Sequence, residues 1–289
     1  MKNKLDLETR VINTFDEYKA LINELINENK LSEFRLNPRY YEISKNSWII
    51  DKYIARDGVI SDTCIENTLS AYDTAIKYKF AISIPVRAID DGSIVCFAHK
   101  SLSRVINTES GYINKMSIAD IKKLELNTEG EKILSLDEAL EHIAGRTPII
   151  IDIHNDGMIG KVEENIVSVI DNYFKKCKTY GNIAVMSANP YSLEYLYRNY
   201  PYVTRILKSG VFKEKMYGSI PTKKLKKLKF YKITNADFIS YSHEELPYRK
   251  IKKYKPAGVL AHTVTSQNQY LKVAPYCDNI IFTGFKPYI

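Results

Sequence analysis

Beyond residue 47 the apolar residues of this chain follow two alternating rhythms. Short runs rich in Val, Ile and Phe are each followed by a longer stretch in which apolar residues return every three or four positions. The short runs predict strands of a parallel sheet, and the longer ones the helices that cross from one strand to the next. Eight strands are predicted, at residues 49–55, 80–86, 148–153, 182–186, 204–207, 237–241, 258–263 and 279–282. Residues 66–76 set Leu69, Tyr72, Ala75 and Ile76 on one helical face, and residues 165–174 do the same with Ile166, Val169, Ile170 and Tyr173. A third helix opens at Ser135, with Glu138 three residues on, in the manner of a capping box. Eight strand-helix units make an α/β barrel, and 289 residues suffice for the roughly 250 that such a single domain needs.

The alternation is interrupted between residues 90 and 127. Asp91-Gly92 reads as a turn, 94–97 as an extra strand and 117–126 as a short helix, together an insertion after the second strand, over the barrel mouth. Residues 1–46 form an N-terminal helical extension ahead of the barrel domain at 47–289. Within it, Tyr18, Leu21, Ile22, Leu25 and Ile26 draw one stripe along residues 15–29. That stripe suits packing against the barrel or closing its N-terminal end, with an oligomer contact as the alternative.

Composition narrows the class. Hydrophobic residues at 45% and charged residues at 26% describe an ordinary globular chain able to bury a large core. The first residues carry a charge every second or third position and no apolar run of signal or anchor length, so a cytoplasmic protein is expected. Four cysteines, Cys64, Cys96, Cys177 and Cys277, lie far apart with no paired spacing, and no histidines cluster. Buried thiols are expected, rather than a zinc site or disulfides. The net charge of +8 has a local source in residues 223–229 and 249–255. Such runs suit an anionic membrane surface or phosphorylated ligands, and equally a solvated helix face; with no recognition motif beside them, nucleic acid is not expected. The 22 tyrosines, among them Tyr40, Tyr41, Tyr197 and Tyr200, are read as core.

Short motifs then follow one another in a telling order. They are Ile54-Ala-Arg-Asp-Gly58, Glu66-Asn-Thr68, Ile82-Ser-Ile-Pro-Val86, Val95-Cys-Phe-Ala-His99 and Leu102-Ser-Arg104. After them come Lys132 to Leu140, Pro148-Ile-Ile-Ile-Asp-Ile-His154, Met186-Ser-Ala-Asn-Pro190 and Ile280-Ile-Phe282. This series, from about residue 48 to 287, resembles the glycerophosphodiester phosphodiesterase family, within the superfamily of phosphatidylinositol phospholipase-like TIM barrels. The resemblance implies a TIM (β/α)8 barrel and hydrolysis of phosphoric diesters in lipid metabolism. It also implies a divalent metal held by a Glu-x-Asp pair and a third carboxylate, with two histidines transferring protons.

Carried over residue by residue, that machinery is mostly replaced. The first histidine falls on Arg56, which stays charged and cannot exchange protons near neutral pH. The Glu-x-Asp pair falls on Ser83 and Pro85. The second histidine falls on Ala98, with His99 next to it. The third carboxylate has a counterpart in Asp152, and the lysine two residues later falls on His154. One carboxylate makes a poor site for a hard cation, so no metal and no other cofactor is expected. His99, shifted by one position, would point away from the site unless a bulge compensates. His142 and His243 are read as surface residues, and His262 as packing near the last strands.

Three readings remain, and whether the chain is an enzyme stays open among them. In the first it is a pseudoenzyme, or an impaired enzyme, that binds a phosphorylated or anionic ligand through Arg56, Glu66, Asp152, His154 and Lys208. The second is a metal-independent phosphodiesterase in which Arg56 replaces the cation's charge and His99 with His154 shuttle protons, a scheme similar to that of bacterial phosphatidylinositol phospholipases. In the third, the basic helices serve an interaction protein.

Overall fold

A computed structural model describes residue 27 and residues 48–61, 64–104, 111–126, 130–177, 182–200, 203–211 and 220–288. The N-terminal extension expected at 1–46, with its stripe at 15–29, lies outside the described residues apart from that single position.

Among the described residues nine strands form one sheet: β1 (Ile54–Arg56), β2 (Ala81–Ala88), β3 (Ile94–Cys96), β4 (Ile149–Ile153), β5 (Ile183–Ser187), β6 (Thr204–Ser209), β7 (Phe238–Ser242), β8 (Gly258–Val264) and β9 (Asn279–Phe282). All but β3 run parallel, and β1 pairs with both β2 and β9, so eight strands close into the expected (β/α)8 barrel. Strand β3 adds antiparallel to β2, with Val86 opposite Cys96, and belongs to the insertion. The helices are α1 (Trp48–Asp51), α2 (Leu69–Lys77), α3 (Ile118–Ile121), α4 (Leu136–Ile143), α5 (Lys161–Cys177), α6 (Pro190–Asn199), α7 (Thr222–Lys226), α8 (Tyr231–Thr234), α9 (Ile251–Tyr254) and α10 (Gln267–Val273).

One expectation is corrected here. Residues 49–55 were expected to be wholly strand, but Trp48–Asp51 turns as α1, and only the end of the segment enters β1. Ile49 is 1% exposed and packs into the cluster that fills the barrel. The backbone carbonyls of Ile49 and Lys52 accept from Asn279 Nδ2 at 2.7 and 2.6 Å. An apolar run here serves as a plug beneath the barrel. Hydrophobic periodicity cannot tell a short buried helix from a buried strand.

Elsewhere local chemistry and architecture agree. Ser135 and Glu138 form both halves of the capping box that starts α4. Thr68 caps α2, and Asn189 caps α6 just ahead of Pro190. The insertion builds a small core of its own from residues such as Ile89, Val95, Phe97, Leu102 and Ile121.

Two apolar layers follow from the two-residue period of the strands. Ile54, Ala81, Ile150, Ala184, Met186, Ile206, Phe238, Leu260 and Ile281 come from all eight barrel strands and fill the lumen. Alternate residues such as Ile82, Ile151, Val185, Leu207 and Ile239 face outward into the layer beneath the helices.

The turn from β1 into α2 holds the mouth closed on one side. Asp57 and Gly58 both adopt positive φ, at 63° and 83°, and Asp57 donates its N–H to the Ser83 carbonyl at 2.8 Å. A Cβ on Gly58 would lie 2.8 Å from the backbone carbon and the Cβ of Ala71. Gly58→Ala is therefore expected to destabilise the fold by about 2 kcal/mol or more, combining left-handed strain with overpacking. A urea unfolding midpoint unchanged from wild type would contradict this.

Candidate functional site

The site is the polar continuation of the barrel lumen. Two residues above the apolar layer, the same inward positions carry Arg56 on β1, Ser83 on β2, Asp152 on β4, Lys208 on β6, Ser240 on β7 and His262 on β8, with Pro85 two residues further along β2. Register sets Arg56 beside Ser83, Pro85 beside Asp152, Lys208 beside Ser240 and Ser242 beside His262. These are C-terminal strand ends, where barrels of this kind place their chemistry.

Asp152 is the centre of one cluster. It is 5% exposed, and its Oδ2 accepts from Lys208 Nζ at 2.5 Å and lies 3.2 Å from His154 Nε2. Burial by itself raises the Asp152 carboxyl, but Lys208 and His154 reverse that and hold it far below the ordinary carboxylate range. Burial lowers the His154 imidazole against the pull of Asp152. Its other ring nitrogen lies 3.4 Å from the Arg87 guanidinium. Arg87 is itself buried, donates to the Ala98 carbonyl at 3.2 Å and pairs with Asp156 at 2.9 Å.

A second cluster surrounds Arg56. Its Nε lies 3.2 Å from Asp57 Oδ2, its side chain is 36% exposed, and its two terminal nitrogens make no hydrogen bond among the described residues. Burial pushes the Asp57 carboxyl up to about 6, with Arg56 opposing. Asp57 Oδ1 and Asn67 Nδ2 are buried without a hydrogen-bond partner among the described residues. Glu66 lies 3.3 Å from His99 Nε2, and this contact holds the carboxyl below its usual range. Asp57 above all, then Asp152 and Glu66, hold the Arg56 guanidinium in its charged form.

The candidates thus meet as two groups: Asp152, His154 and Lys208 in one, Arg56, Glu66 and His99 in the other. His99 turns toward Glu66 and not toward His154. Sequence reasoning missed Arg87 and the role of His262. His262 faces the lumen, with Nδ1 2.8 Å from Ser240 Oγ, and burial, then Lys208, push its pKa down to about 3. His243, expected on the surface, is half-buried with Nδ1 enclosed and adds to the positive field at His262. His142 does sit near the surface, against Asp73 at 2.9 Å. The available signal was strand alternation: Arg87 and His262 lie two residues past lumen positions Pro85 and Leu260. Of the four cysteines, Cys96 is buried and the other three partly so.

The divalent metal implied by the resemblance does not fit these residues. Under that resemblance two of the ligands would fall on Ser83 and Pro85, and the third, Asp152, gives the same carboxylate oxygen to an ammonium and an imidazole. Among the described residues no three His, Cys, Asp or Glu side chains are grouped to hold an ion.

A model of the glycerophosphoryl diester phosphodiesterase family matches residues 55–280. Solved structures add similar folds. A phosphodiesterase of Oleispira antarctica, solved with its product sn-glycerol 3-phosphate, is 20% identical with a TM-score of 0.63, over 80% of this chain and 92% of that one. A glycerophosphodiester phosphodiesterase of Agrobacterium tumefaciens is 16% identical with a TM-score of 0.59, over 80% and 95%. That of Thermotoga maritima is 19% identical with a TM-score of 0.58, over 80% and 93%. No curated protein sequence matches the chain significantly.

Two outcomes are expected. Lys208→Met leaves Asp152 buried beside a hydrophobe and is expected to cost about 3–5 kcal/mol in urea unfolding, most of it restored by Asp152→Leu in the same chain. If the double variant is no more stable than the single, the pairing account is wrong. The second concerns acid stability. Because the folded pKa of His262 lies near 3, the unfolded chain alone takes up this proton as pH falls below about 6.5. Stability present above pH 6.5 is therefore lost toward pH 3, at about 1.4 kcal/mol per unit. His262→Asn, able to keep a bond to Ser240, removes this term, so the wild type's advantage over the variant should narrow between pH 7.5 and pH 5. A constant difference would refute the assignment.

Proposed function

We propose that this chain, which belongs to the glycerophosphoryl diester phosphodiesterase family, binds a phosphorylated or anionic small molecule at the barrel mouth without hydrolysing it. The observation that carries this reading is Arg56. Its guanidinium is anchored through Nε on Asp57 while both terminal nitrogens remain available at the lumen. A guanidinium presented in that way suits two parallel hydrogen bonds to a phosphate. Lys208, partly exposed, adds an ammonium donor from the opposite wall, and neutral His262 a ring nitrogen from β8.

The arrangement of acids and bases favours binding over turnover. Hydrolysis of a phosphodiester needs a group that accepts a proton from the nucleophile and one that gives a proton to the leaving oxygen. Arg56 does neither. His154 is engaged by Asp152 on one nitrogen and approached by Arg87 on the other, and burial favours its neutral form. His99 is turned to Glu66. For the metal-independent phosphodiesterase, both rings would have to leave these partners and meet one phosphate.

No helix among the described residues is long and apolar enough to cross a membrane. We place the protein in the cytoplasm, where phosphorylated metabolites are plentiful.

The test uses sn-glycerol 3-phosphate as ligand and glycerophosphocholine as substrate. Calorimetry is expected to detect glycerol phosphate binding that Arg56→Ala weakens about tenfold to a hundredfold, the worth of a charge-assisted hydrogen bond. Turnover of glycerophosphocholine should stay at background with or without divalent metal. Clear turnover that either His99→Ala or His154→Ala abolished would replace this reading with the metal-independent enzyme.

A further inference from the structure

The charge of this protein is concentrated on one flank of the barrel. Between residues 220 and 257 stand eleven cations, Lys223, Lys224, Lys226, Lys227, Lys229, Lys232, Arg249, Lys250, Lys252, Lys253 and Lys255, against three acids, Asp237, Glu244 and Glu245. Their excess of eight equals the net charge of the whole chain, +8 from 42 cations and 34 acids. Everywhere else the remaining 31 cations are matched by 31 acids. A generally lysine-rich composition would have spread the excess along the chain, so this stretch departs from it.

Folding joins the two runs into one surface. Helices α7, α8 and α9 belong to consecutive units between β6 and β8. The Tyr254 hydroxyl donates to the Leu228 carbonyl at 3.1 Å, and the Tyr231 and Tyr254 rings lie 4.6 Å apart. Apart from Lys226, the eleven cations are exposed. Lys226 pairs with Glu245, and Asp237 lies 3.5 Å from Arg205, so two of the three acids are already engaged. Ile233 stands exposed within the same surface.

We infer that this lysine flank is a docking surface for an anionic lipid bilayer. Ten of the eleven cations are lysines, which act as point charges toward a diffuse negative surface and do not require the paired geometry that arginine offers. The tyrosines of the stretch are turned inward. Tyr231 and Tyr254 pack on one another, and Tyr248 stacks on Tyr241 at 5.0 Å and 8°. None offers the ring platform on which single-stranded nucleic acid stacks. The flank is built of short helices and also presents Ile233, as a bilayer interface accepts.

The experiment is co-sedimentation of the full chain with phosphatidylcholine vesicles, with and without phosphatidylserine. Binding is expected only with phosphatidylserine, and is expected to weaken as salt rises. Lys223→Gln and Lys252→Gln should each lower the partition coefficient about fivefold, and the quadruple variant Lys223→Glu/Lys227→Glu/Lys252→Glu/Lys253→Glu should abolish it. The glutamine variants keep the test valid if the charge-reversed chain folds poorly. Reversal of Lys115, Lys123 and Lys176, outside the flank, should leave partition unchanged. So should Arg56→Ala, which separates this inference from ligand binding at the mouth. Equal binding to neutral vesicles, no binding to either, retention by the quadruple variant, or binding to a single-stranded oligonucleotide in preference to vesicles would overturn it.

Discussion

Closure of the sheet is the constraint on which everything else depends. Because β1 pairs on one side with β2 and on the other with β9, no strand edge of the barrel proper is left open, and every second residue must enter a lumen with no room for bulk water. Below, the lumen is filled by Ile, Ala, Leu, Met and Phe and plugged by Ile49. Above, the same inward positions become Arg56, Asp152, Lys208, Ser240 and His262. A charge there is enclosed by strands on all sides, and it persists only with a partner.

That requirement explains the pairing pattern of the mouth. Lys208 meets Asp152, Arg56 meets Asp57, Arg87 meets Asp156 and His99 meets Glu66. The buried Asp152 carboxylate takes its positive partner, the Lys208 ammonium, from the chain itself. Arg56 departs from the pattern because its partner takes only one of its three nitrogens.

The outer surface obeys a different rule. Solvated lysines need no partners, so α7, α8 and α9 can gather an excess of positive charge that the lumen could not tolerate. The mouth and the flank are therefore two separate electrostatic features, one nearly balanced and enclosed, the other unbalanced and exposed.

Much of this was legible along the chain. The two alternating hydrophobic rhythms, the Ser135 cap and the order of short motifs determined the barrel and its family, because strand and helix periodicities are local properties that survive extensive drift. That the metal pair implied by the resemblance would fall on Ser83 and Pro85 was equally legible, since a proline side chain carries no ligand atom in any fold. Other features required the tertiary structure. Whether Ile49 belonged to a strand or a plug depended on which surface lay beneath it. The direction of His99 depended on the insertion that follows β2, and the place of His262 on how far lumen alternation extends past the apolar run. Pairing of Lys208 with Asp152, 56 residues apart, was invisible to any local pattern, because partners of a buried charge are chosen by barrel closure and not by sequence distance.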